Sequence, residues 1–313
     1  MRTEFETIDS IKSTFNLERV GDDCAVLPKD ADTDLVITAD MLVENIDFRL
    51  NWAKAEQVGY KSLAVSLSDI AAMGATPIWG MVSIAVPERL WDTGFVDDLF
   101  KGWHSLAGQF GVELVGGDIS RSPDLLVIDS IVGGETPKGK AIMRSGAKPG
   151  DAIYVSGSLG GAAGGLAILE SASGVTVPQS PLVVRQLQPQ PQLKLANILM
   201  SHGLATSMID LSDGLSSDLR HICRSSNVGA RIYADQIPID AELKKTNDLS
   251  QSLRMALDGG EDFELLFTTR GNVTVDKSWR ITKIGEITEE TGALTIVIDE
   301  RPYELQPSGF QHF

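Results

Sequence analysis

The sequence predicts an α/β protein of two domains, and three observations carry that expectation. Apolar, β-rich runs alternate with segments of helical period: DLVITAD, a helix from about Ala53 to Gly74, WGMVSIAV, another helix, VELVGG and DLLVIDSIVGG. The 313 residues exceed the ~100–200 of one ordinary domain. Between Lys138 and Pro149, PKGKAIMRSGAKPGD concentrates Lys, Arg, Gly and Pro between two strands. The expected division is therefore 1–138, a linker at 139–150, and 151–313.

Within the first half, GYKSLAVSLSDIAAMG places Leu63, Leu67, Ile70 and Gly74 on one helical stripe. Ser62, Ser66 and Asp69 share another, so Asp69 can leave the core face. Gly74 followed by Pro77 supplies the stop. The apolar run from Ile78 to Pro87 is about half the ~20 residues needed to span a bilayer and is expected to be a buried strand. The second half opens with strand DAIYVSG, turn SLGGAAGG and helix LAILESA. It continues through TSMIDLSDG, GARIYAD, a helix before GGED, then FELLFT and RITKIGEI. The Pro/Gln-enriched stretch from about Gly174 to Gln192 is expected to be a surface connection.

Composition narrows the function classes. Hydrophobic residues at 42% and charged residues at 22% fit a packed globular chain. A formal net charge of -16 repels phosphate backbones and anionic headgroups, so nucleic acid and membrane are not expected partners. A phosphate ligand would need a cationic mediator. Cys24 and Cys223 form no CxxC pair and no even framework, which suits a reducing cytoplasm. The opening MRTEFETIDSIKSTF lacks the apolar region of a secretory signal, so no export is expected.

Carboxylates repeatedly follow apolar strands at turns: Asp22 and Asp23 in GDDCAVL, Asp40 after LVITA, Asp118 after ELVGG, and Asp210 and Asp213 in SMIDLSDG. Asp69 joins them from the helix. Any one of these is ordinarily a turn former or helix N-cap. Together they are harder to explain so, because Asp22-Asp23, Asp210-x-x-Asp213 and Glu261-Asp262 crowd like charges at a cost unless cations intervene. Oxygen ligands without His or Cys select Mg²⁺ or Ca²⁺, and a site that recruits substrate phosphates suits Mg²⁺.

Other motifs are weaker. Gly116-Gly117 and Gly259-Gly260 precede acidic residues, where a turn or a close ligand approach is equally expected. GSLGGAAGG lies between strand and helix as phosphate loops do, yet matches neither GxGxxG nor GxxxxGK[ST]; close helix packing explains it as well. No Walker lysine or HRD-like loop is present, which removes the common kinase architectures. His104, His202, His221 and His312 are scattered and none adjoins an acidic cluster in sequence, so no histidine base is expected. Arg144 suits either a phosphate or a salt bridge.

GDDCAVL, GYKSLAVSLSDIAAMGATP, VGGD, MRSGAKPGD, IDLSDGLSSDL and GGEDFELLFT together resemble the thiamine-monophosphate kinase family, nearly end to end. The resemblance implies the fold of aminoimidazole ribonucleotide synthetase: an N-terminal sheet domain that dimerises and a C-terminal α/β domain. It implies several magnesium ions held by Asp23, Asp40, Asp69, Asp118, Asp210 and Asp213 with Thr38 nearby. ATP, the co-substrate, would meet Phe110, Gly117, Asp118, Arg144 and Ser212. Thiamine monophosphate would meet Glu261, the position of Asp47, and Phe310 in the closing GFQHF. Two departures stand out: Ala39 occupies a position where a hydroxyl is common, and Asp47 one where many members carry His.

The expected reaction is phosphorylation of thiamine monophosphate to thiamine diphosphate by direct in-line transfer. It agrees with the missing histidine, because a phosphomonoester with a second pKa of ~6 is already an anionic nucleophile. Alternatives are another ATP-dependent synthetase of the superfamily and a non-enzymatic acidic metal-binding protein. Neither a cysteine in an N-terminal glycine-rich loop nor EF-hand spacing is present to favour them.

Overall fold

The computed structural model describes residues 4–172, 179–273, 276, 279–306, 308 and 309. In chain order the elements are α1 (Glu4–Phe15), β1 (Ala25–Pro28), β2 (Thr33–Val43), α2 (Ala55–Ala72), β3 (Thr76–Pro87), α3 (Glu88–Trp91), α4 (Phe95–Phe110), β4 (Glu113–Ser122) and β5 (Val127–Pro137). After the connecting segment come β6 (Ala152–Ser156), α5 (Gly161–Ser171), α6 (Pro181–Leu187), α7 (Leu193–Ser201), β7 (Ala205–Asp210), α8 (Leu215–Ser226) and β8 (Gly229–Tyr233). The remainder is α9 (Leu243–Thr246), α10 (Leu249–Asp258), β9 (Leu265–Thr269), β10 (Ile281–Thr288), β11 (Leu294–Ile298) and β12 (Arg301–Glu304).

The strands form two mixed sheets, as the α/β alternation requires. The first has the order β1-β2-β5-β3-β4, antiparallel except for the β3–β4 pair. The second has the order β12-β11-β8-β10-β6-β9-β7, antiparallel except for β11–β8. This is a two-domain α/β fold.

Helix α2 joins the halves. Leu63, Leu67 and Ile70 lie fully inside, as their stripe predicts, but so do Ser62, Ser66 and Ser68. The reason is a second wall: α2 packs on β2 and β5 on one side, and on α4, α7 and β7 on others. Two glycines permit the close crossing with α4, since a Cβ on Gly59 would lie 1.8 Å from the Leu99 carbonyl oxygen and one on Gly102 1.8 Å from that of Glu56. One buried apolar cluster consequently contains α2, Trp103 and Leu106 together with Leu195, Leu199 and Phe267 of the second half.

Two expectations require correction. The run from Ile78 is a strand but is not buried on both faces: Val82, Ile84 and Val86 point inward, whereas Ile78 and Met81 are exposed. The stretch before Gln192 is not merely a surface connection, because its described part contains α6, capped by the Ser180 hydroxyl and burying Leu182, Val183 and Leu187. Pro181 at the first helical position initiates that helix rather than breaking the chain.

Candidate functional site

Three aspartates from distant segments meet, two from the first half of the chain and one from the second. Asp23 lies in the turn before β1, Asp69 in the last turn of α2, and Asp210 at the end of β7. Their nearest oxygens fall within 4.8 Å of one another. Asp40 on β2 adjoins them, accepting a 2.7 Å bond from the Ser66 hydroxyl, while Thr38 on the same strand face donates to Asp69 at 2.5 Å. The buried Ser68 hydroxyl closes no hydrogen bond but stands near enough to favour ionised Asp210. Ser66 and Ser68 are not among the candidate ligands read from sequence; the signal for them is two hydroxyls within a turn of Asp69.

Among the described residues, the guanidinium within reach is that of Arg144, from the segment between the sheets. Its Nη2 is 2.5 Å from Asp23 Oδ1, and its backbone N–H donates to Asp22 at 3.1 Å. This cation does not balance the carboxylates. Burial, reinforced by neighbouring carboxylates, pushes Asp22 and Asp40 up to about 6, Asp210 up to about 7 and Asp69 well above the ordinary range. Asp23 is raised too, by burial against the pull of Arg144. Its Oδ2 is buried without a partner, and an orphaned anionic oxygen facing two further carboxylates fits a hard divalent cation.

A second group forms at the start of α8, where Asp213, Asp218 and His221 approach within 4.8 Å. The expectation that no histidine adjoins an acidic cluster is thereby corrected: His221 is brought to Asp213 by the i, i+3 step from Asp218, a spacing visible in SSDLRH. Burial and nearby arginines push His221 down to about 4. Asp218 itself holds the turn, accepting from the Asp213 and Gly214 backbone N–H groups.

A cleft of about 870 Å³ opens beside both groups and is lined by Asp22, Asp40, Asp47, Arg144, Ser212, Asp213 and Glu261 among others. Asp47 also uses its carboxylate to accept the Val43 N–H at 2.7 Å. Glu261 pairs with Lys61, a residue not singled out from sequence. Three further candidates lie elsewhere. Phe110, at the end of α4, packs half-buried on the apolar core. Gly117 and Asp118 are on exposed β4. Asp118 is level with Ser83, Asp129 and Met41 on the outer sheet face, whereas Gly117 is level with Val82, Ser130 and Asp40. Phe310 lies outside the described residues. Ala39 points to the outer face, opposite Thr38 and Asp40, so the hydroxyl missing there does not belong to the buried group.

The glycine-rich turn does not offer its N–H groups to a ligand. Asp262 accepts from Gly160 at 2.5 Å and Ala162 at 3.1 Å, and Arg185 stands 3.6 Å from it. The glycines serve packing instead, since a Cβ on Gly165 would lie 2.1 Å from the Leu182 carbonyl oxygen.

Two sheet domains that meet at a carboxylate cluster beside a buried helix place the chain in the AIR synthase related class, whose N-terminal domain matches residues 21–137 and C-terminal domain residues 148–301. Thiamine-monophosphate kinase of Escherichia coli K12 is 39% identical over 305 residues, covering 94% of this chain and 91% of that one. The Bacillus subtilis thiamine-monophosphate kinase is 34% identical over 310 residues, covering 94% and 93%. Among solved structures, AaThiL complexed with AMPPCP and TMP superimposes with a TM-score of 0.87 at 31% identity, covering 100% of this chain and 99% of that one. The chain belongs to the thiamine-monophosphate kinase family.

The raised pKa values carry a consequence for the protein without metal. A carboxyl whose folded pKa exceeds its ordinary 3.8 binds more protons in the native than in the unfolded state, so stability falls as pH rises from about 4 to about 7. His221 acts oppositely between about 4 and 6.5, one group against at least three. In EDTA, the melting temperature is expected to drop between pH 5 and pH 8; a rise over that interval would contradict the cluster's electrostatics.

Proposed function

We propose that the protein transfers the terminal phosphoryl group of ATP to thiamine monophosphate, releasing ADP and thiamine diphosphate. The observation that carries this reading is the buried Asp23–Asp69–Asp210 group beside Asp40, Arg144 and a large cleft. It is a site for charge neutralisation rather than for deprotonation. The acceptor is a phosphate that is already ionised, so the chain's residues need only hold two anionic substrates in line. Asp23, Asp40, Asp69 and Asp210 are the residues to hold magnesium, which when bound neutralises phosphate charge. Arg144 offers a guanidinium edge at the cleft, and Ser212 and Asp213 border it. Glu261, Asp47 and Phe310 are assigned to the thiamine end, and Phe110 and Gly117 to the nucleotide. His221, pushed well below neutrality, stays uncharged at pH 7 and is adjacent to the phosphate site rather than its base.

Asp118 belongs to the outer face of the first sheet, where Met41 and Met81 are exposed, and Leu114, Val115 and Ile119 of the edge strand β4 are exposed as well. The open edge of β4 and these exposed apolar side chains support a homodimer built on the N-terminal sheet. The reading assigns the division 1–138, 139–150 and 151–313 to the chain. No described helix is long and apolar enough to cross a membrane, and Cys24 and Cys223 are both free and buried, which supports a cytoplasmic setting.

Incubation with ATP, Mg²⁺ and thiamine monophosphate is expected to yield thiamine diphosphate by chromatography, with free thiamine a far poorer acceptor and EDTA abolishing turnover. Asp40→Asn, Asp69→Asn and Asp210→Asn should each abolish that turnover while raising the metal-free melting temperature by roughly 2–4 °C, as relief of about 1 kcal/mol of repulsion would. Wild-type activity in all three would remove the cluster from the mechanism. Light scattering is expected to give about twice 33.7 kDa; a mass of one chain at micromolar concentration would exclude the dimer.

A further inference from the structure

Lys61 has no place in the phosphate chemistry, yet it is 3% exposed in the middle of α2. A buried ammonium requires a partner, and it has two from different parts of the chain. Its Nζ lies 2.6 Å from Glu261 Oε1 and donates to the Asp47 backbone carbonyl at 3.2 Å. The second Glu261 oxygen accepts from the Gln186 side-chain amide of α6. The backbone of Glu261 is constrained as well. Its φ is +57°, and its N–H donates to the Ser212 carbonyl at 2.7 Å, while Phe263, with φ +49°, donates to Leu211 at 2.9 Å. A non-glycine residue held at positive φ persists only where its surroundings over-determine it.

These contacts leave Glu261 30% exposed, with Lys61 behind it, and both Glu261 and Gln186 line the cleft. An ionised carboxylate offers about four acceptor sites. Lys61 and Gln186 take one on each oxygen, so the open edge can only accept. Position along α2 adds a length. Lys61 and Asp69 are two helical turns apart, roughly 12 Å at 1.5 Å per residue. The carboxylate that Lys61 holds is thus reached from α2 two turns before the Asp69 carboxylate.

We infer that Lys61, with Gln186, is a positioning residue that locks Glu261 as an acceptor for an N–H donor on the organic part of the substrate, and so sets which phosphomonoesters are accepted. The inference rests on the assignment of Glu261 to the thiamine end. Lys61 does not touch the reacting atoms. It fixes the rotamer of the carboxylate against Gln186 and ties α2 and the Asp47 turn to the loop that carries Glu261. A ligand with an amino group on its ring gains a charge-assisted bond. A ligand with a carbonyl oxygen there meets an acceptor it cannot pair with, and a site built for a donor rejects such analogues strongly.

The test compares wild type, Lys61→Met, Lys61→Arg and the double variant Lys61→Met/Glu261→Gln. Each is assayed with thiamine monophosphate and with its analogue in which the ring amino group is replaced by oxygen. Lys61→Met is expected to raise KM for thiamine monophosphate at least tenfold, to shift KM for ATP less than twofold, and to narrow discrimination against the oxygen analogue. Lys61→Arg should restore part of that discrimination. The double variant also removes the carboxylate that Lys61→Met leaves without its cation, so it should regain the melting temperature lost in Lys61→Met without regaining discrimination. Equal changes in both KM values, or recovery of discrimination along with stability in the double variant, would reduce Lys61 to a structural ion pair and overturn the inference. A wild-type protein inactive on thiamine monophosphate would instead overturn the proposed function, and the inference with it.

Discussion

Everything in this structure answers to a concentration of buried carboxylates along one side of α2. Asp23, Asp40, Asp69 and Asp210 converge where, among the described residues, one guanidinium reaches them, and the deficit of positive charge is visible in their raised pKa values. Taking carboxylates out of water is costly, and a fold keeps such an arrangement only by over-determining it elsewhere. Here the compensation is packing. Helix α2 is buried nearly all round, crossed tightly by α4 through reciprocal glycines, and walled by both sheets. Hydroxyls of Thr38, Ser66 and Ser68 soften the cluster without neutralising it. The neutralisation that remains is left to the ligands, which suits a site handling two phosphate-bearing substrates.

The same economy explains two adjacent acids with opposite duties. Asp262 turns inward, closes the first turn of α5 and meets Arg185, so a glycine-rich turn that looks open to phosphate in sequence is already occupied. Glu261 turns outward through a positive φ and faces the cleft, supported by Lys61 and Gln186. The crowding of Glu261 and Asp262 is thus relieved by the protein's own cations, not by metal. That of Asp22 and Asp23 is relieved only partly, by Arg144. The difference between the pairs is what distinguishes structural acids from candidate ligands.

Much was determined by the amino-acid sequence alone. Alternating strand and helix periods marked the α/β class, the Leu63, Leu67, Ile70 stripe marked the inner face of α2, and the motifs from GDDCAVL to GGEDFELLFT marked the family. These are local regularities, and local regularities survive translation into one dimension. Tertiary structure alone decided which acids share a site. Asp69 meets Asp23 and Asp210 because β7 packs against α2, whereas Asp213 joins Asp218 and His221 instead, and Asp118 falls on the outer face of a strand pair. It likewise decided that Ser66 and Lys61 are interior, since Ser66 faces Asp40 and Ser130 of the first sheet and Lys61 is covered by Glu261 from the far half of the chain. Burial, the orientation of a carboxylate and the sign of its pKa shift depend on what stands opposite, and sequence spacing carries no information about a neighbour that folding brings from elsewhere.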